Sequence, residues 1–98
     1  MEKLRRSGES FLPLTQRGSL EVEIYSPIHL DRQLPHARDE VYVILSGSGD
    51  FVCDGRKMGF RSGDFLFVAA GREHRFIDFS EDFSCWVLFF GPPGGEMD

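Results

Sequence analysis

Cysteine is scarce in this chain: Cys53 and Cys85 are the only two. Two cannot build the disulfide framework that small secreted domains use in place of a large core. Both lie inside apolar, strand-like runs, with no second Cys or His nearby in sequence. They read as free, buried thiols rather than as a thiolate metal site. Clustered positive charge is equally sparse. The formal net charge is −5 and no basic run extends beyond Lys3, Arg5 and Arg6, which argues against a nucleic-acid partner. No apolar run reaches the roughly 18 to 20 residues of a membrane-spanning helix. Residues 1–10 are charged and lack the apolar centre of a secretory signal, so the expectation is a cytoplasmic protein without membrane contact. There is no repeat of fixed period, and no apolar spacing of three and four is sustained over a dozen residues, so no helix is expected. No glycine run opens a helix to hold phosphate, and no Ser-His-Asp set is in evidence.

What the chain does contain is short strands. Its 98 residues make a single domain, 1–98. A domain of this size buries only about 60 to 70% of its unfolded surface, so a bound metal or a second subunit would add useful stability. The apolar fraction of 41% is ordinary, but ten Phe imply a tightly filled interior or an apolar subunit interface. Ser19 to Tyr25 alternates, with Leu20, Val22 and Ile24 on one face and Glu21, Glu23 and Tyr25 on the other. Glu40 to Ser46 is rich in Val, Ile and Tyr, and Gly47-Ser48-Gly49 turns the chain. Asp50 to Cys53 and Arg56 to Phe60 flank Asp54-Gly55, a dipeptide suited to a tight hairpin. Phe65 to Ala69, His74 to Phe79 and Phe83 to Phe90 complete the strands. Residues 1–18 read as an irregular N-terminal segment and 91–98 as a loose tail. Many short strands with frequent turns predict an all-β sandwich or barrel. Glu40 to Ser46, Phe65 to Ala69 and Phe83 to Phe90 are apolar on both faces, which predicts a sheet covered on its outside by a second copy, hence a homodimer.

Three side chains carry the chemistry. Strand alternation places Glu40 and Tyr42 on one face; a strand reaching back to His36 adds that residue, four positions away. His74 and Phe76 share a face in the same way. If both faces line the interior, His36, Glu40 and His74 meet there: two imidazoles and a carboxylate, a facial set for a divalent ion with open positions opposite. Taken singly, each has an ordinary reading: His36 as a solvated loop residue after Pro35, Glu40 as a surface partner of Arg38 or Arg56, His74 as part of a charged turn. Tyr42, Phe76 and Trp86 could line an aromatic cavity or simply pack the core.

Those stretches resemble the cupin superfamily, small β-barrels of the jelly-roll kind (the double-stranded β-helix). The first cupin motif reads Gly, five residues, His-x-His, three or four residues, Glu, six residues, Gly. His36, three residues, Glu40, six residues and Gly47 match its second half. The second motif reads Gly, five residues, Pro-x-Gly, two residues, His, three residues, Asn. Gly63, Gly71 and His74 match at that spacing, with Ala69 for the Pro and Asp78 for the Asn. The resemblance spans roughly Ser19 to Phe90. It departs at Leu34, where the first motif His is expected, and at Ile28, where its Gly is expected. The usual three His and one Glu are thus reduced to His36, Glu40 and His74, with Leu34 an apolar wall of the pocket; Gln33 and His29 are weak substitutes.

The resemblance implies a small metal-binding protein holding Fe, Mn, Ni or Zn, with a small organic ligand or substrate beside the ion. If it is an enzyme, oxygenase- or isomerase-like metal chemistry is implied. The alternative is a metal-free small-molecule binding or sensor module with a degenerate site, which Leu34 favours. A third possibility is a scaffold subunit whose barrel carries no chemistry.

Overall fold

The computed structural model describes residues 11–28, 31 and 36–96. Within them eight strands form, and no helix. In chain order they are β1 (Phe11–Arg17), β2 (Leu20–Tyr25), β3 (Asp39–Ser46), β4 (Ser48–Cys53), β5 (Arg56–Arg61), β6 (Phe65–Val68), β7 (His74–Ile77) and β8 (Ser84–Phe90). All pairings are antiparallel. One sheet has the order β1-β2-β8-β3-β6 and the other β5-β4-β7. The all-β barrel expected from the strand pattern is the architecture observed. No helix among the described residues is long and apolar enough to cross a membrane.

Local sequence accounts for the turns. Asp54 and Gly55 both have positive φ, 50° and 80°, as a two-residue turn between β4 and β5 demands. Gly47 carries the chain from one sheet to the other with φ of 87°. A Cβ there would lie 2.6 Å from the Phe83 Cα and 2.6 Å from the Ser80 Oγ, so glycine is required by space as well as by conformation.

The core is aromatic. Phe76 on β7 packs its ring 4.9 Å from Tyr42, 4.8 Å from Phe51, 5.3 Å from Phe60 and 4.7 Å from Phe83. Tilted and edge-on arrangements of this kind suit aromatic quadrupoles. Ile44, Cys85, Val87, Leu66 and Val68 complete the packing. The rings fill the middle of the barrel and leave its other end to polar side chains.

Two sequence expectations need correction. Residues 11–17 are not irregular: they form β1, paired to β2 from Phe11↔Tyr25 to Arg17↔Leu20, with a shift in register between Pro13 and Thr15. An edge strand tolerates Pro13 and a bulge because its outer groups need no ladder partner, which also hides it from a pattern search. Nor is the tail loose through Glu96. Asp39 accepts the Glu96 N–H and the Ala70 N–H, each at 2.9 Å, and these two bonds hold its carboxyl below the usual carboxylate range. The Gly94 N–H donates to the Ala37 carbonyl at 2.7 Å.

Replacing Gly47 separates space from conformation. Gly55 has positive φ but open surroundings, so Gly55→Ala is expected to cost about 1 kcal/mol. Gly47→Ala, which also overlaps the Phe83 backbone, is expected to cost roughly 2–4 kcal/mol in urea titrations. Equal losses would mean that the close approach at Phe83 is relaxed in solution.

Candidate metal centre

β3 opens with Asp39 and Glu40, and pairing in register with β8 sets their direction. Glu40 is opposite Phe89 and Tyr42 is opposite Val87, both buried, so Glu40 points inward with only 1% of its surface exposed. His74 begins β7 opposite Cys53 and is also buried. His36 precedes β3 in an irregular stretch. Its backbone is fixed by the Gly71 N–H, which donates to the His36 carbonyl at 2.7 Å, and the next carbonyl is held by Gly94. Arg38 fastens the same stretch, its Nε donating to the Gly91 carbonyl at 3.0 Å.

The three side chains come together. One ligand-capable atom from each of His36, Glu40 and His74 lies within 4.8 Å of the others. His74 Nε2 is 2.9 Å from Glu40 Oε1 and 2.9 Å from the Tyr42 hydroxyl. His36 Nε2 is 3.9 Å from Glu40 Oε2, and the two imidazole rings are 5.6 Å apart. His74 Nδ1 is 2.9 Å from the Arg72 carbonyl; that oxygen only accepts, so Nδ1 carries a proton and Nε2 is the atom presented to the centre. Glu40 Oε2 is buried and has no hydrogen-bond partner among the described residues. A buried carboxylate oxygen is normally satisfied, and a cation between the two imidazoles would satisfy this one. The donor set therefore fits a divalent ion.

Burial alone would pull the His74 imidazole down. The hydrogen bonds to Glu40 and to the Arg72 carbonyl, with the charges of Glu40 and Asp31, outweigh it and raise its pKa overall. Burial pushes the Cys85 thiol well up, and burial followed by the charge of Asp54 raises Cys53. Neither is a ready thiolate. Cys85 is buried as expected, whereas Cys53 is half-buried, and both are free.

Three of the four residues expected to line an aromatic pocket can be placed. Tyr42 and Phe76 are packed into the ring cluster, and Tyr42 reaches the centre only through its hydroxyl. Trp86 alternates with Cys85 and Val87, which are buried, and so sits on the outer face of β8. Leu34 lies outside the described residues, as do Gln33 and His29. A cavity of about 410 Å³ instead opens beside His36, lined by Phe11, Glu21, Glu23, Ala37, Arg38 and Phe89. Glu21 and Glu23 reach it because β2 pairs Glu21 with Phe89 and Glu23 with Val87, turning the acidic face of the strand inward and its apolar face outward. The alternation of Ser19 to Tyr25 was legible in sequence; which face turns inward was not.

Residues 23–90 match the Cupin domain family. An uncharacterised protein of Streptomyces coelicolor, SCO3923, is 37% identical over 62 residues, which cover 63% of this chain and 59% of that protein. The chain thus spans less than two thirds of that relative. Among solved structures, the Clostridium difficile EutQ protein superposes with a TM-score of 0.69 at 19% identity, covering 86% of this chain and 67% of the other. A cupin superfamily protein from Desulfitobacterium hafniense gives 0.69 at 19%, covering 82% and 74%. KdgF from Halomonas sp. gives 0.71 at 16%, covering 82% and 76%. These likenesses bear out the jelly-roll barrel.

The His74–Glu40 pair has a pH signature in metal-free protein. The folded imidazole pKa is raised above the unfolded value of about 6.5. Its contribution to stability is therefore complete below about pH 6.5 and is lost as pH rises through the folded value. Chelator-treated protein is expected to exceed Glu40→Gln in stability by more at about pH 6 than at about pH 9, read by urea titration. An advantage that grew with pH would contradict the pairing.

Proposed function

The chain belongs to the cupin family, and on that footing we propose that it holds one divalent metal ion through His36, Glu40 and His74 and takes a small organic ligand in the cavity beside it. The observation that carries this reading is the unmet Glu40 Oε2, with the His36 Nε2 at 3.9 Å, on a carboxylate whose other oxygen lies 2.9 Å from the His74 Nε2. Three protein ligands leave coordination positions open for water or ligand. When bound, the ion supplies a Lewis acid at the inner end of the cavity. The protein's own contribution is positional. Arg72 orients His74 through its carbonyl at Nδ1, and the Tyr42 hydroxyl lies 2.9 Å from the other ring nitrogen, Nε2. The ring cluster closes off the barrel behind the centre.

A second reading is a metal-free binding module. Leu34, which stands where the cupin motif has its first His, favours it, because an apolar side chain replaces a ligand. Protein purified without added metal separates the two: bound metal near one equivalent supports the first, and a copurified organic molecule with no metal supports the second.

Removing His74 or Glu40 should lower affinity for added Zn or Mn by at least about tenfold, whereas His29→Ala should leave it unchanged, as read by elemental analysis of dialysed protein. Equal metal content in His74→Ala and His29→Ala would refute the assignment. Metal affinity should also weaken as pH falls through about 6.5 and below, because protons compete for both imidazoles.

A further inference from the structure

Glu23 is an unusual residue to find on the inner face of a small barrel. It is half-buried and faces the same side as Val87, yet among the described residues its carboxylate makes no hydrogen bond or ion pair. Burial, then the charges of Glu21 and Glu40, push its pKa up. Its neighbour Glu21 is already answered, with Arg38 Nη1 at 3.2 Å from Oε1, and the Arg38 Nε is spent on the Gly91 carbonyl. Across the cavity mouth the unanswered charge is therefore negative and belongs to Glu23. The remaining walls are the Phe11 and Phe89 rings, with Ala37 and His36. Arg38 Nη2 is buried, with no hydrogen-bond partner among the described residues.

We propose that the cavity beside His36 selects a small molecule bearing a protonated amine, with its ammonium on Glu23 and its apolar part between Phe11 and Phe89. This rests on the reading of that cavity as the ligand site, but not on which metal, if any, lies behind it. Anions are repelled at the rim by Glu23, and neutral alcohols gain a hydrogen bond without the charge.

Three probes of one shape and different charge test this: benzylamine, benzyl alcohol and benzoate, titrated into full-length protein and followed by ligand-observed NMR. Benzylamine is expected to bind about tenfold more tightly than benzyl alcohol, and benzoate weakest. Glu23→Gln should erase the preference, while Glu21→Gln keeps it. Equal binding of the three probes, a preference for benzoate, no binding by any of them, or a preference that survives Glu23→Gln would each overturn the proposal. Metal content of Glu23→Gln is read in the same samples. An unchanged value leaves the metal centre standing whatever the probes do, so the two readings fail separately.

A second observation stands apart from the cavity. The outward turn of Leu20, Val22 and Ile24 continues across the five-stranded sheet as Trp86 and Leu88 on β8, Val41 and Val43 on β3, and Phe65 and Phe67 on β6. Phe65 is 66% exposed and Phe67 54%. Apart from Asp39 at the start of β3, whose carboxylate is taken up by the Ala70 and Glu96 N–H groups, the outer positions of β2, β8, β3 and β6 hold no charged residue. At ordinary strand spacing and rise, such a face offers roughly 500 Å² per copy, or roughly 1,000 Å² in a pair, which reaches the size of a specific interface. We infer that a second copy of the chain covers it, sheet on sheet. Copies carrying −5 each meet there across a face whose charges, Asp39 and Arg17, lie at strand ends, and such a face has little to select an oppositely charged partner.

Light scattering should give twice 11.2 kDa at tens of micromolar protein, and Phe67→Glu should give the monomer with an unchanged circular dichroism spectrum. Phe67 contributes nothing to the core, so this variant folds if the barrel does. A wild-type monomer, or a dimer that tolerates Phe67→Glu, would overturn the inference.

Discussion

Glu40 is a carboxylate sealed inside a barrel of aromatic rings, and desolvation makes such a group costly unless every oxygen is answered. Oε1 is answered by His74; Oε2 is not. The local architecture is organised around that imbalance. His74 is held in one tautomer by a backbone carbonyl and also lies within reach of the Tyr42 hydroxyl. His36 approaches from the opposite side on a stretch that cannot drift, because glycine N–H groups hold its carbonyls. A proton on His74 and a metal ion are competing answers to the same buried charge, and pH decides between them.

The barrel itself serves this placement. The stretch after β2 is tied inward at Asp31, whose carboxylate accepts the Tyr25 hydroxyl and the Phe76 N–H. Phe76 lies two residues from His74 on the same face of β7, so the core and the centre share one strand. Asp39 does the equivalent at the other end, joining the start of β3 to Ala70 and to the C-terminal segment. Among the described residues, buried carboxylates thus act as fasteners where each oxygen has N–H or O–H donors, and as a candidate ligand at Glu40, where one oxygen lacks them.

Much of the fold was legible because strand patterning and turn chemistry are local. Asp54-Gly55 could be read as a two-residue turn and Glu40 to Ser46 as an inward strand from their own residues. The strand β1 was not legible, since Pro13 and a bulge interrupt its pattern and only pairing with β2 makes it a strand. The same holds for Trp86: its place on the outer face follows from registration against Val43, and an aromatic residue within a run of apolar ones carries no signal of side. The cavity was missed for a related reason. Its carboxylates come from a strand whose apolar face would ordinarily turn inward, and its remaining walls come from three other parts of the chain.

By itself, the order of residues determined the strand content, the tight turns and the short spacing of His36 and Glu40, because each depends on neighbours a few positions apart. Tertiary structure alone decided which face of β2 turns inward, which oxygen of Glu40 is left unmet, and that a cavity opens beside Glu23. Those outcomes depend on register between strands distant in the chain, where a shift of one residue exchanges every inward side chain for an outward one.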